Sequence, residues 1–180
     1  MTQQELANTW LPTVTYEQFL KFKPCWLNDR KRATQLKEIG SRKKEWNALD
    51  VLRLEEVNIA DRMWAVLREE FLSANLLHEY ACRCADYALS KIDNPDPRSI
   101  QAVEAKRKWM RGEISDTELK VKCLKVWGAG RAVAWISARA AAWVSALAVV
   151  QDTVRVVGQA TAWNDLLNIL INLIKEEEQQ

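Results

Sequence analysis

The sequence has few of the residues that usually carry catalytic or metal-binding chemistry. It contains a single histidine, and its four cysteines lack the two-residue spacing that is typical of zinc ligands. A glycine-rich phosphate loop is also missing, because Gly128 and Gly130 follow no predicted strand and precede no Lys-Ser/Thr pair. The common signatures of metalloenzymes and nucleotide-binding enzymes are therefore absent from the sequence, and we expect no cofactor.

A strong net charge and long apolar runs are missing as well. The formal net charge of +2 gives no whole-chain argument for binding nucleic acid or a membrane surface. The most apolar segment, residues 140–150, has eleven residues, whereas a membrane span needs about 20. Residues 1–11 lack the basic start and apolar run of a secretory signal. We therefore expect a cytoplasmic protein with reduced thiols and no membrane partner.

What the sequence does contain is helical periodicity with well-placed capping residues. These patterns predict an all-α fold, a compact helical bundle in a single domain of residues 1–180. Residues 1–22 are expected to be weakly ordered or to hold one short helix. The predicted helix starts are Thr15 with Gln18, Asn58, Ser73, Asp96 followed by Pro97, and Ser115 with Glu118.

The segment 73–92 predicts the central and most buried helix. Its polar stripe is narrow, and a wide apolar arc lies opposite, running from Leu77 through Tyr80 and Cys84 to Ile92. The prolines at 95 and 97 predict a corner after this helix. A further helix is expected over residues 97–111, with Ile100 and Val103 facing away from its charged side.

Charge is divided unevenly along the chain. Residues 21–44 hold nine lysines and arginines against two acids, whereas residues 45–104 hold twelve acids and six bases. Opposite charges on solvated helix faces explain this division, and the two segments are able to attract each other. Alternatively, the basic segment binds nucleic acid, although we do not expect this because no known reading helix is present. The candidate basic patch consists of Lys31, Arg32, Arg42, Lys43 and Lys44.

Residues 126–157 repeat with a period of eight, and the tail built on this repeat extends to residue 175. Each repeat advances about 80° around an α-helix, so the tail is apolar almost all round rather than a coiled-coil seam. We expect breaks near residues 128–130 and at Gly158. Burial in the core is the favoured interpretation; a partner-facing groove is the alternative. In that case the predicted contact residues are Trp127, Arg131, Trp135, Arg139 and Trp143.

His78 and Cys82 are the remaining candidates for chemistry. They are four residues apart, so they share one helix face and together provide two zinc ligands or a Cys–His nucleophile pair. Cys84 points elsewhere on the same helix. Buried thiols beside a core histidine explain the pattern without chemistry. A small hydrolase or metal protein using these two residues therefore remains only an alternative.

Several strings in the chain belong together. They read LHEYACRCA at 77–85, NPDPRS at 94–99, EAKRKW at 104–109 and RGEI at 111–114, with PCWL at 24–27, DVLRL at 50–54 and WAVLREE at 64–70 upstream. Together they resemble a bacterial and phage-associated family described as immunity proteins of polymorphic-toxin systems. The resemblance covers residues 24–143, and we assign its core to residues 24–125.

This resemblance implies an all-helical protein that binds and blocks a toxin made by the same lineage. It brings no catalytic residues with it. Our leading hypothesis is a non-enzymatic inhibitor that occludes a protein target, either as an immunity protein or as a phage-encoded inhibitor of a host defence. The tail departs from the family because Val, Ile and Leu replace much of its Ala, Arg and Asp. This departure indicates a different partner or self-association.

Overall fold

A computed structural model describes residues 10–124, 150–151, 153–155 and 159–179 of the chain. Helices dominate these ranges, which confirms the predicted all-α class. The helices are α1 (Tyr16–Leu20), α2 (Arg30–Ser41), α3 (Ala48–Leu52), α4 (Ile59–Val66), α5 (Ala74–Ser90), α6 (Pro97–Met110), α7 (Asp116–Leu124) and α8 (Gln159–Glu178). A short 3-10 helix, Cys25–Asn28, lies between α1 and α2.

A two-stranded antiparallel ribbon, which the sequence did not predict, joins the start of the chain to the segment after α2. Strand β1 is Val14–Thr15 and strand β2 is Glu45–Trp46, with Val14 opposite Trp46. The side chain of Thr13 also donates to Glu45 at 3.0 Å. Each strand has two residues, too short for an alternating pattern to be visible in the sequence.

Side-chain caps fix the helix starts, and every predicted cap is confirmed. Thr15 and Gln18 form a capping box on α1, and Ser73 accepts from the backbone N–H of Leu76 at 3.2 Å. The other confirmed caps are Asn58 on α4, Asp96 with Pro97 on α6, and Ser115 with Glu118 on α7. Two caps were not predicted: Asp29 on α2 and the Asn47–Asp50 box on α3.

The end of α6 is set by Gly112, directly after the predicted end of this helix at residue 111. Its φ of +73° is the left-handed conformation that glycine adopts without a Cβ penalty. The N–H of Glu113 then donates to the carbonyl of Lys108 at 2.9 Å, which completes a Schellman ending. The chain reverses here, so α7 packs back against α6.

Helix α5 lies at the centre of the core, as its wide apolar arc predicted. It packs between α6 and α8, and Tyr80, Cys82 and Cys84 have no exposed surface. The predictions for Ile92 and Ile100 were wrong, because these residues are 43% and 49% exposed. Helix α5 ends at Ser90, before Ile92 is reached, and the buried face of α6 is made by other residues.

The polar stripe of α5 contacts other helices. Glu79 binds Arg107 of α6 at 3.1 Å, and Arg107 also binds Asp86 at 2.7 Å. On the same stripe, Arg83 pairs with Glu176 of α8 through two hydrogen bonds of 3.0 and 2.5 Å. These pairs raise the pKa of Arg83 and lower that of Glu176. The stripe therefore joins three helices through paired charges.

The tail is described only in part. Val150, Thr153 and Val154 are buried, and Gln151 and Arg155 are exposed. The predicted breaks near residues 128–130 and at Gly158 lie outside the described residues. Among the helices that are described, none combines the length and the apolar character needed to span a membrane.

Candidate functional site

His78 is buried in an apolar contact. The residue is 8% exposed. Its ring and that of Trp109 meet edge to face, with 5.4 Å between the centroids. Nδ1 is buried and has no hydrogen-bond partner in the described part of the chain. Burial, together with the nearby charge of Lys106, lowers the pKa of His78 to about 4. The imidazole is therefore neutral near pH 7 and held by packing.

Cys82 and Cys84 are buried in the same helix. Burial raises the pKa of Cys82 to about 12 and raises the pKa of Cys84 further. Because the thiolate is the form that attacks substrates and binds metals, these environments oppose both roles. Within the described ranges, no three histidine, cysteine or acidic side chains come together as a metal site. The geometry thus gives the His78–Cys82 alternatives no support.

The candidate basic patch is largely engaged by acids of the following segment. Arg32 binds Asp61, Arg42 binds Glu56, and Lys43 binds Asp50. Each bridge joins the basic segment to the acidic segment, so the predicted attraction between them is present. Three of the five patch residues are therefore ion-paired within the chain. The other two, Lys31 and Lys44, are exposed.

The predicted tail contacts, Trp127, Arg131, Trp135, Arg139 and Trp143, lie outside the described residues. Their role as partner-binding residues stays a prediction. Of the next repeat, Gln151 occupies the tryptophan position and Arg155 the arginine position, and both are exposed.

The described part of the chain contains an open cavity of about 270 Å³. It lies among β1, α1, α2, the loop after α3 and helix α4. Apolar and aromatic side chains make most of its wall. They are Val14, Tyr16, Phe19, Trp26, Leu36, Ile39, Trp46, Val51, Leu54, Val57, Ala65 and Phe71. A concave apolar site with a few polar groups is the usual form of a binding pocket.

Gly40 shapes one wall of the cavity. The ring of Tyr16 lies so close to the α2 backbone that a Cβ on Gly40 would be 2.8 Å from the Cγ of Tyr16. Real Cβ atoms essentially never come that close to another heavy atom. Glycine at this position thus allows helices α1 and α2 to meet beside the cavity.

Aromatic and guanidinium groups pack behind the part of the wall that contains Trp26. The guanidinium of Arg68 lies 4.7 Å from the ring centre of Phe22 and 4.0 Å from that of Trp64. Trp64 meets Trp26 edge to face with 5.0 Å between centroids, and Trp26 lines the cavity. Such cation–π and aromatic pairs add stability beyond the area that they bury. They hold the Trp26 wall in place.

The charged side chains that line the cavity all have partners. Arg32 is paired with Asp61, and Glu56 with Arg42. The hydrogen bond from Arg42 is the main reason why the pKa of Glu56 is lowered. Nη1 of Arg62 donates to the carbonyl of Leu52 at 2.6 Å, and Gln35 donates to the carbonyl of Glu56 at 3.1 Å. The two acids of the lining are thus ion-paired, whereas Nε of Arg62 is buried without a hydrogen-bond partner among the described residues.

The sequence did not predict this cavity. Its lining comes from several segments between residues 14 and 71, which only packing brings together. One local signal was present: a glycine inside a helical pattern, Gly40, often marks a close approach.

Comparison with protein-family models, with curated proteins and with solved structures finds no match to the chain.

Proposed function

We propose that the chain is a non-enzymatic binding protein that occludes a protein target. The observation that carries this proposal is the open apolar cavity, whose two acidic lining residues, Glu56 and Asp61, are ion-paired with arginines. A concave apolar surface of this kind suits a binding partner. Cys82 and Cys84 lie elsewhere, and burial holds both as protonated thiols, the form that opposes nucleophilic attack and metal binding.

The resemblance of residues 24–143 to immunity proteins supplies the class of target. A toxin of the same bacterial lineage, or a host defence protein blocked by a phage-encoded inhibitor, fits this class, and the site of action is then the cytoplasm. The Trp and Arg residues of the tail are proposed as additional contacts, since these residue types dominate interface hot spots. Self-association through the tail belongs to the same proposal.

Co-expression with a toxin encoded beside this chain tests the proposal directly. We expect restored growth of cells that produce the toxin and a stable complex of the two purified proteins on size-exclusion chromatography. A variant of this chain with an altered toxin-binding surface should lose both the protection of growth and the complex. Absence of binding and of protection for every neighbouring toxin and host defence nuclease would overturn the proposal.

Nucleic-acid binding has weaker support. Arg32, Arg42 and Lys43 are engaged by acidic side chains, so less positive charge is left for phosphates. Filter binding of single- and double-stranded DNA and RNA in low salt distinguishes the two functions. Retention that disappears with rising salt would favour the nucleic-acid alternative.

A further inference from the structure

We propose that the cavity receives a neutral aromatic side chain of the target protein, with the indole of a tryptophan as the best fit. This inference rests on the proposed function, because it names the group by which the target is anchored. Three properties of the cavity lead to it: its volume, the aromatic character of its wall and the pairing of its charges.

Volume sets the size of the guest. An apolar protein cavity of about 150 Å³ holds a benzene molecule. The present cavity, at about 270 Å³, has room for a bicyclic ring and is too large for a methyl or isopropyl group to fill. Because an unfilled apolar wall forfeits contacts, a small aliphatic side chain would leave much of the available contact energy unused.

The wall sets the chemical character of the guest. Five aromatic rings line the cavity: Tyr16, Phe19, Trp26, Trp46 and Phe71. Aromatic groups attract one another in edge-to-face and offset arrangements with centroids 4.5–7 Å apart, in addition to the effect of burial. The wall already contains such a contact, between Phe19 and Trp26 at 6.4 Å. A flat ring entering between these side chains would extend the arrangement.

The rim sets the charge of the guest. Arg32 and Glu56 each have an ion-pair partner, and Arg62 donates Nη1 to a backbone carbonyl while its Nε is buried without a hydrogen-bond partner among the described residues. A cationic guest would lose its hydration and find no unpaired carboxylate in the lining, which is costly. A neutral ring with one N–H meets no such penalty, because the half-exposed rim leaves that N–H access to water or to a carbonyl.

The probe for this site is N-acetyltryptophanamide, a neutral molecule carrying the indole. Its binding is measured by titration while the backbone amide signals of Gly40 and Ala65 are followed by NMR. Tryptamine carries the same ring with a positive charge. We expect saturable binding of the neutral probe and about tenfold weaker binding of tryptamine.

Two variants locate the site. Leu36→Trp fills the cavity from α2, where Leu36 is half-buried, and should abolish saturable binding of the probe. Leu167→Trp makes the same change at a half-buried leucine of α8 outside the cavity and should bind the probe normally. Circular dichroism and thermal melting establish that both variants are folded. If Leu36→Trp does not fold, Val57→Trp fills the cavity from the loop.

Target binding separates this inference from the proposed function. Competition of the free probe with the target, together with at least tenfold weaker target binding by the filled variant, is the expected result. Unchanged target binding by the filled variant would overturn the inference while the proposed function stands. Equal or stronger binding of tryptamine, or no binding of the neutral probe, would overturn it as well. If no target binds, the proposed function fails, whatever the probe shows.

Discussion

The hydroxyl of Tyr80 donates a hydrogen bond to the backbone carbonyl of Leu166 at 3.1 Å, and neither residue has any exposed surface. This bond joins the central helix α5 to the last helix α8 across 86 residues of sequence. Burial also raises the pKa of Tyr80 well above its ordinary value, so the hydroxyl keeps its proton and remains a donor.

Tyr80→Phe should destabilise the fold by about 0.5–1.5 kcal/mol, because a buried hydrogen bond between α5 and α8 would be lost while the carbonyl of Leu166 keeps its helical donor. Urea unfolding followed by circular dichroism measures the change. Tyr87→Phe is the matched control on the same helix: its hydroxyl binds Asp165 at the partly exposed edge and should matter less. Equal effects of the two substitutions would contradict the importance of burial.

Stability should fall as the pH decreases from about 6.5 to about 4. The pKa of His78 is lowered to about 4 in the folded protein, so in this interval the unfolded chain binds a proton that the folded chain excludes. The stabilisation that results from this difference in pKa is complete above the pKa of His78 in the unfolded chain. It is lost as the pH falls toward the pKa of His78 in the folded protein. The slope approaches about 1.4 kcal/mol per pH unit at most.

His78 is the only histidine in the chain, which makes this prediction specific. A His78→Gln variant lacks the titrating group, so the difference between its stability and that of the wild type should change with pH in this interval. Chemical denaturation at pH 7, 6 and 5 measures the difference. A constant difference over these values would show that His78 is protonated equally in both states.

Gly40→Ala should destabilise the protein by about 1–3 kcal/mol, although alanine is the better helix former. The added Cβ would press on the ring of Tyr16. In a Tyr16→Leu background, where the ring is absent, the same substitution should become neutral or stabilising. Thermal melting of the two single variants and the double variant gives the coupling; additive effects would contradict the contact.

Cys82 and Cys84 should resist thiol reagents in the folded protein. Both are buried, and burial raises the pKa of each thiol, so little thiolate is present and little is accessible. Treatment with iodoacetamide at pH 8, followed by peptide mass mapping, should find them unmodified until denaturant is added. Rapid labelling of Cys82 in the native state would restore it as a candidate nucleophile.

The sequence predicted best what depends on near neighbours. The caps at Ser73, Asp96 and Ser115 involve residues two or three positions apart, and each was found where it was expected. The signs of the two charged segments also predicted their attraction. The partners, such as Arg42 with Glu56, could not be predicted because they depend on how the end of α2 and the loop between α3 and α4 are placed.

The cavity could not be predicted for a related reason. A wall residue such as Leu36 has the same local pattern as a core residue, and only packing decides whether the space beside it is filled.

Ile92 shows where helical periodicity fails as a guide to burial. The wheel placed it with the buried residues, but α5 ends two positions earlier and leaves it exposed.

Among the described residues, all twenty that line the cavity lie between Val14 and Phe71, before the central helix α5 begins. One uninterrupted stretch of the gene therefore encodes every described lining residue, and helices α5 to α8 are encoded outside it. Recombination within such a gene replaces the lining in a single exchange and leaves the supporting helices unchanged. Selection for a new binding preference thus acts on one heritable block rather than on scattered codons.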